Sequence, residues 1–265
     1  MEIGIARVKD ICTTVRKNFP YDSLWLKEKI QYRGILKDSQ NALKNEARLG
    51  EIHQELNDMN RKLREVRDAY SPFYSNPFEF YRELIKAVHK HKIQNCGELS
   101  RIAYAIARMN GIGNSNLDLA TFTTKEYKDY SKSLFPEIDK YLDLMLEMED
   151  GGDYRIIDHS ALQIHGKKKK EFILDPLLNE CHNKAEAERI YKTQYGDILN
   201  ITTNENLQIV NGYSSCSNLP RLSKDEAKEL LSLYPELKIG KKMEINSRKK
   251  FFFFEWIEAI QKRTS

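Results

Sequence analysis

The chain has 265 residues, 40% of them hydrophobic and 31% charged, so it can bury a substantial core and is not a disordered protein. Its 43 basic and 39 acidic residues give a net charge of +4, which argues against a dedicated nucleic-acid-binding protein. Four scattered cysteines exclude a dense disulfide framework and paired zinc ligands, and they suit a reducing compartment. No window approaches the roughly 20 apolar residues of a membrane span, and no classical export signal is present. We therefore expect no membrane span and a cytoplasmic location, or secretion by a machine that reads other signals.

The first 74 residues are predicted to be helical. Apolar residues between positions 5 and 19 share one helical face, and those between 49 and 70 alternate at spacings of three and four, as in a coiled coil. Three heptads are too few to stand alone, so we favour a bundle with the region around Trp25 over an intermolecular coiled coil. Residues 1–74 are thus predicted to form a helical bundle or docking region, which ends where Ser and Pro residues break the pattern.

A cysteine stands at the start of a later helix. Asn95 is a favourable N-cap, and Glu98 can return a hydrogen bond to its backbone N–H in a capping box. Cys96 is then the first helical residue, where the unpaired N–H groups and the helix dipole favour thiolate over thiol. Gly97 leaves the face beside the thiol open. The alternative is a buried structural cysteine, so a nucleophile requires a second and a third group.

The other segments alternate between helical and strand patterns. Helices are predicted at 78–91, at 101–110 with a stop at Gly111, through Leu134 to Met148, at 183–195 and from Ser223 to Leu233. Residues 198–202 and 207–210 indicate a further strand pair. The four phenylalanines and Trp256 near the carboxyl end are predicted to fill a core or a domain interface.

A β-hairpin is predicted after the helical pattern that ends at Met148. Residues 154–165 alternate with a period of two, and the apolar run 171–174 follows Gly166 and four lysines. The lysines are favoured as a solvated turn over a phosphate or membrane site.

The hairpin supplies a candidate base for Cys96. If its turn centres on Lys167, His159 lies directly opposite Asp175, with Cβ atoms about 5 Å apart. A carboxylate at that distance orients an imidazole, whereas a register shifted by one residue would put Asp175 on the other face. His165 is too close to the turn to take this role, and His182 is expected in a loop.

Three short motifs resemble the transglutaminase-like cysteine enzymes. They are Asn-Cys-Gly-Glu-Leu-Ser at 95–100, Asp-His-Ser at 158–160 and Ile-Leu-Asp-Pro at 173–176. That superfamily is papain-like in its core and includes transglutaminases, peptide N-glycanases, some proteases, and glutamine deamidases that bacteria inject into host cells. The resemblance covers about residues 90–180. It implies an α+β fold in which a central helix packs on a small antiparallel sheet, assigned here to residues 75–265.

The resemblance also implies the chemistry. Cys96 would be the nucleophile, His159 the general base and acid, and Asp175 the group that orients His159, with no metal or organic cofactor. The backbone N–H of Cys96 is the expected oxyanion donor, and Gln94, Gln163 or a distant Trp are the side-chain candidates.

Several functions remain open on these residues. Papain-like proteases have a glutamine six residues before the cysteine, where this chain has Lys90. We therefore rank glutamine deamidation or transglutamination of a protein substrate above proteolysis, with a translocated bacterial effector as one setting. The alternative from a different class is a non-catalytic adaptor whose N-terminal helices bind a docking partner.

Overall fold

The computed structural model describes residues 3–23, 42–123, 157–166, 170–187, 189–190, 208–211 and 219–240. The helices in this part of the chain are α1 (Ile5–Asn18), α2 (Ala42–Tyr70), α3 (Pro77–His91), α4 (Cys96–Met109) and α5 (Lys224–Leu233). The strands are β1 (Asp22–Ser23), β2 (Ile93–Gln94), β3 (Leu117–Thr123), β4 (Ile157–His165), β5 (Glu171–Asp175), β6 (Glu180–Asn183) and β7 (Gln208–Asn211). The predicted mixture of helices and small sheets is therefore confirmed.

The larger sheet has five strands in the order β6-β5-β4-β3-β7, and neighbouring strands are antiparallel. Helix α4 packs on the central strand β4, and α1 packs on β5 and β6. The two-residue strands β1 and β2 pair in parallel just before α4. The start of α4 is thus held between the sheet and the chain that follows α1.

Helix α4 begins and ends where the sequence predicts. Asn95 is the N-cap, the capping box with Glu98 is present, and almost every residue from Glu98 to Met109 is buried. After Asn110, Gly111 takes a φ of +84°, a left-handed conformation that glycine adopts without steric cost. The helix is a buried rod with Cys96 at its amino-terminal tip.

Helices α1 and α2 make their main contacts with later parts of the chain. The apolar face of α1 lies on β5, β6 and α4, whereas α2 packs on α3. Buried residues of both helices belong to the same core as α4 and the sheet. The described buried residues before and after residue 74 thus form one core, because each helix finds its apolar partner in a later part of the chain. The region around Trp25 lies outside the described residues.

Two strands were not expected from the sequence. Residues 117–123 form β3, and residues 180–183 form β6, where a loop containing His182 was predicted. Strand β3 pairs with β4 and β6 pairs with β5, and these ladders stabilise both segments as strands although local sequence propensity does not indicate them. The predicted strand at 207–210 corresponds to β7, and Ser223 caps α5 in a capping box with Glu226. The predictions for 124–156, 191–207 and 241–265 lie outside the described residues.

Two stacked tyrosines in the core give a stability prediction with an internal control. The rings of Tyr81 and Tyr104 are 5.3 Å apart and both residues are fully buried. The Tyr104 hydroxyl donates to Asn114 Oδ1 at 2.6 Å and accepts the Leu222 N–H at 3.0 Å. Within the described part of the chain, the Tyr81 hydroxyl has no hydrogen-bond partner.

Tyr104→Phe is therefore expected to lower the free energy of unfolding by about 1–3 kcal/mol, because it leaves the buried Leu222 N–H without this acceptor. Tyr81→Phe removes an unsatisfied hydroxyl and is expected to be neutral or stabilising. Urea denaturation of the two variants measures the difference. Equal losses of stability in both variants would contradict this account of the pair.

Candidate active site

Cys96 is half-buried at the first position of α4, and the residues around it fix the start of the helix. The Asn95 N–H donates to Glu98 Oε2 at 3.0 Å, which is the predicted half of the capping box. The Asn95 side-chain oxygen accepts a hydrogen bond from the Ser23 hydroxyl at 3.0 Å. The face that Gly97 was expected to leave open is occupied by Arg101, whose Nη1 donates to the Gly97 carbonyl at 3.1 Å.

Ser100 ties the first turn of α4 to the sheet. Its buried hydroxyl lies 2.7 Å from the Cys96 carbonyl oxygen and 2.9 Å from the Ser160 carbonyl oxygen on β4. Ser160 is the residue that follows His159, so this contact brings the backbone at Cys96 close to the backbone at His159. Ser100 was singled out in the sequence only as the last residue of the 95–100 motif, although a hydroxyl on the buried face of a helix is itself a signal for such a contact.

Strand β4 contains a bulge next to His159. Phe122 of β3 pairs with His159 and Thr123 pairs with Ile157, so Asp158 is an extra residue in β4. A bulge interrupts the alternation of side chains and turns them away from the regular pleat. The structure thus places the His159 backbone in the central strand, and the His159 side chain lies outside the described part of the chain.

The predicted pairing of His159 with Asp175 is wrong. Leu162 pairs with Leu174, and continuing that register brings Asp175 to Ala161. The Gly166 N–H donates to the Lys170 carbonyl at 2.7 Å, so the ladder is symmetrical about position 168 and not about Lys167. The observed register therefore differs from the predicted one by two residues. Because side chains alternate between the two faces of a sheet, an even difference leaves Asp175 on the predicted face.

Asp175 is fully buried at the end of β5. Its Oδ1 accepts the backbone N–H groups of Leu177 at 3.0 Å and Leu178 at 3.1 Å, which shapes the turn into β6. Burial lowers the pKa of Arg16 in α1, and the negative charge of Asp175 partly offsets that shift. Asp175 therefore has a structural role in the turn that sequence analysis did not foresee.

Gln94 is not arranged as an oxyanion donor. Its side-chain NH₂ group donates to the carbonyl oxygens of Phe19 at 2.8 Å and Tyr21 at 3.1 Å. Both N–H donors of the amide are thus used to hold the segment after α1, which leaves neither of them for an oxyanion at Cys96. Gln163 is buried, and neither polar atom of its side chain has a hydrogen-bond partner within the described ranges.

The remaining histidines of the sheet contact carboxylates away from Cys96. His165 lies 3.0 Å from Asp118 and 3.3 Å from Glu171, and His182 lies 3.4 Å from Glu180. His165 is separated from Ser160 by about 17 Å of extended strand. Its imidazole is therefore remote from the first turn of α4.

The other described cysteines are poor nucleophiles. Burial raises the pKa of Cys181 to about 11, and burial together with the nearby Asp175 charge raises the pKa of Cys12 well above its ordinary value. Both thiols are buried, whereas Cys96 is half-buried. Cys96 is thus the most accessible thiol in the described ranges, and Cys216 lies outside them.

A histidine of α3 contacts two aromatic residues that follow α1. The Tyr21 hydroxyl lies 2.7 Å from Nδ1 of His89, and Phe19 stacks on the same ring at 4.6 Å. Burial lowers the pKa of His89, and the charge of Glu236 partly offsets this effect. A neutral imidazole can accept the hydroxyl, whereas a protonated one cannot.

We therefore expect the protein to lose stability as the pH falls below about 6.5, the ordinary pKa of histidine. The sign follows because the unfolded chain binds the His89 proton at a higher pH than the folded chain does. His89→Gln cannot be protonated and is expected to flatten this part of the profile. His91→Gln on the same helix is the control, and unfolding curves at a series of pH values supply the measurement. An unaltered slope in the His89→Gln variant would contradict the prediction.

Among the residues that the structure describes, no three or more His, Cys, Asp or Glu side chains are grouped so that they could hold a metal ion. None of the described helices is long and apolar enough to cross a membrane.

Comparison with known proteins gives no relative. No protein-family model, no curated protein and no solved structure matches the chain.

Proposed function

We propose that the chain is a cysteine-dependent acyl-transfer enzyme with a papain-like core, acting on a glutamine side chain of a protein. One observation carries the proposal: Ser100 joins the first turn of α4, which begins at Cys96, to the β4 backbone beside His159. Asp175 on the neighbouring strand adds a carboxylate to the same sheet. The resemblance to injected bacterial deamidases extends the proposal to a host-cell protein as the substrate.

The proposed reaction has two steps. The Cys96 thiolate attacks the amide carbon, the C–N bond breaks, and His159 donates a proton to the departing ammonia. The backbone N–H of Cys96 is at the helix start, where no intrahelical acceptor exists, so it can donate to the oxyanion. Water then attacks the thioester, His159 accepts its proton, and glutamate and free Cys96 are formed. A primary amine in place of water gives transglutamination.

The test is the rate at which iodoacetamide labels Cys96 as a function of pH. Cys12 and Cys181 are buried, so selective labelling of Cys96 among the cysteines would follow from exposure alone. The informative comparison is therefore with His159→Ala. We expect this variant to label more slowly near neutral pH, because it lacks the imidazolium that stabilises the thiolate.

His165→Gln is the matched control, since it changes a histidine at the other end of the same strand. Equal labelling rates at all pH values in the two variants would refute the enzyme proposal. Glutamine-containing proteins incubated with and without a fluorescent primary amine distinguish the reaction types. Mass spectrometry then identifies glutamate formation, amine incorporation or backbone cleavage, the last of which would indicate a protease.

A further inference from the structure

A buried carboxylate joins the helix of Cys96 to helix α2. Glu98 is only 1% exposed, yet its two oxygens contact two different parts of the chain. Oε2 accepts the Asn95 N–H at 3.0 Å, within the cap of α4. Oε1 accepts Arg67 Nε at 3.1 Å and the Tyr70 hydroxyl at 3.1 Å, both from the last turns of α2. The capping residue of α4 is therefore also its link to α2.

The charges around Glu98 keep this link ionic. Burial raises the pKa of Glu98, but the positive charges of Arg67 and Arg101 outweigh that effect and leave the pKa below its ordinary value. A buried carboxylate that lost one of these partners would bear an uncompensated charge. Because Glu98 lies two residues after Cys96, such a change would act directly on the first turn of α4.

The position of Arg67 distinguishes this link from ordinary core packing. The apolar side of α2 packs on α3, whereas the Arg67 side chain is 46% exposed and reaches from the surface to Glu98. Arg67 and Tyr70 are three residues apart, so one face of α2 presents both donors to a single oxygen atom. The contact between α2 and Glu98 is thus made by two side chains in the last turns of α2, and not by packing along the whole helix.

We propose that Arg67 and Tyr70 of α2 are positioning residues for the nucleophile, acting through Glu98 to hold the capped first turn of α4 and with it Cys96. This inference rests on the proposed function for its effect on reactivity, since it assigns Cys96 the role of nucleophile. It assigns the N-terminal helical region a role in positioning Cys96, in addition to any role in binding a partner.

Arg67→Met tests the link, because methionine keeps an apolar stem and removes the charge. Arg61→Met is the control, since Arg61 is an exposed arginine of the same helix that pairs locally with Asp58. The first measurement is amide hydrogen exchange at Asn95 and Leu99, whose N–H groups are bonded across the first turn of α4. We expect exchange to be about three- to tenfold faster in Arg67→Met, as for a loosened helix cap, and unchanged in Arg61→Met.

The second measurement is the pH profile of Cys96 labelling by iodoacetamide. Loss of the Arg67 charge leaves the Glu98 carboxylate, two residues after Cys96 in the first turn of α4, less compensated, so half-maximal labelling is expected at a higher pH. Arg67→Lys retains the charge and is expected to restore most of the profile. General destabilisation would lower the melting temperature without raising the pH at which Cys96 labelling is half-maximal.

The outcomes separate the two proposals. If exchange at Asn95 and Leu99 is the same in Arg67→Met and Arg61→Met, the link between α2 and α4 is refuted. If exchange differs between Arg67→Met and Arg61→Met, but His159→Ala labels at the same rate as the unsubstituted protein, the link stands and the enzyme proposal fails. Should Arg67→Met not fold, Tyr70→Phe removes one hydroxyl from the same carboxylate, and exchange at Asn95 and Leu99 in that variant tests the link.

Discussion

Replacing His159 with alanine is expected to lower the rate of glutamine amide hydrolysis by about 10²- to 10⁴-fold, the usual contribution of a general acid and base. The reason is that the leaving nitrogen would depart without a proton and water would attack the thioester without a base. Ammonia release from a glutamine-containing substrate protein, followed with a coupled assay, provides the rate. Cys96→Ala sets the background of that assay.

His165→Gln controls for the loss of an imidazole from β4. It removes the contacts with Asp118 and Glu171, which lie at the far end of the strand, and is expected to retain most of the activity. A loss in His159→Ala no larger than the loss in His165→Gln would exclude His159 as the acid and base.

Asp175 gives the second large effect, and the choice of substitution decides what is learned. Asp175→Ala leaves the buried N–H groups of Leu177 and Leu178 without their acceptor and is expected to cost about 2–4 kcal/mol of stability. Asp175→Asn keeps an oxygen at the position of Oδ1, so we expect a smaller loss of stability. A loss of activity in Asp175→Ala alone would therefore not distinguish an unfolded turn from the loss of a catalytic group.

The asparagine variant isolates the charge of Asp175. If Asp175 orients His159 and stabilises its protonated form, Asp175→Asn is expected to lower ammonia release by about tenfold or more while the variant remains folded. Denaturant unfolding and the ammonia assay are measured on the same preparation. An Asp175→Asn variant with full activity would assign Asp175 to the β5–β6 turn alone.

The features that the sequence predicts well are local ones. The helix that begins at Cys96 is specified by Asn95 and Glu98, three residues apart, and it ends at Gly111 because a left-handed residue stops it. A capping box depends on contacts within one turn, so no knowledge of the remaining fold is required. The hairpin between β4 and β5 is likewise specified by alternation and by the turn residues between the strands.

The features that were mispredicted depend on distant residues. The hairpin register differs by two residues, because the turn centre is inferred from composition while the ladder is fixed by the pairing itself. Gln94 and Gln163 are equivalent candidates in sequence, yet only the structure shows that Gln94 uses its donors on Phe19 and Tyr21. The second role of Glu98 is invisible from its own helix, since Arg67 and Tyr70 precede it by some thirty residues.

The docking of α1 on the sheet has a consequence for how the protein is made. The Cys12 thiol of α1 lies against the Asp175 carbonyl, 163 positions later in the chain. At synthesis rates of about 5–20 residues per second, α1 leaves the ribosome roughly 10–30 seconds before β5 and β6 are available. Its apolar face, with Val8, Ile11 and Val15, has no sheet to cover it during that interval. We therefore expect nascent chains to need a chaperone at α1, and polar substitutions on that face to lower the yield of folded protein.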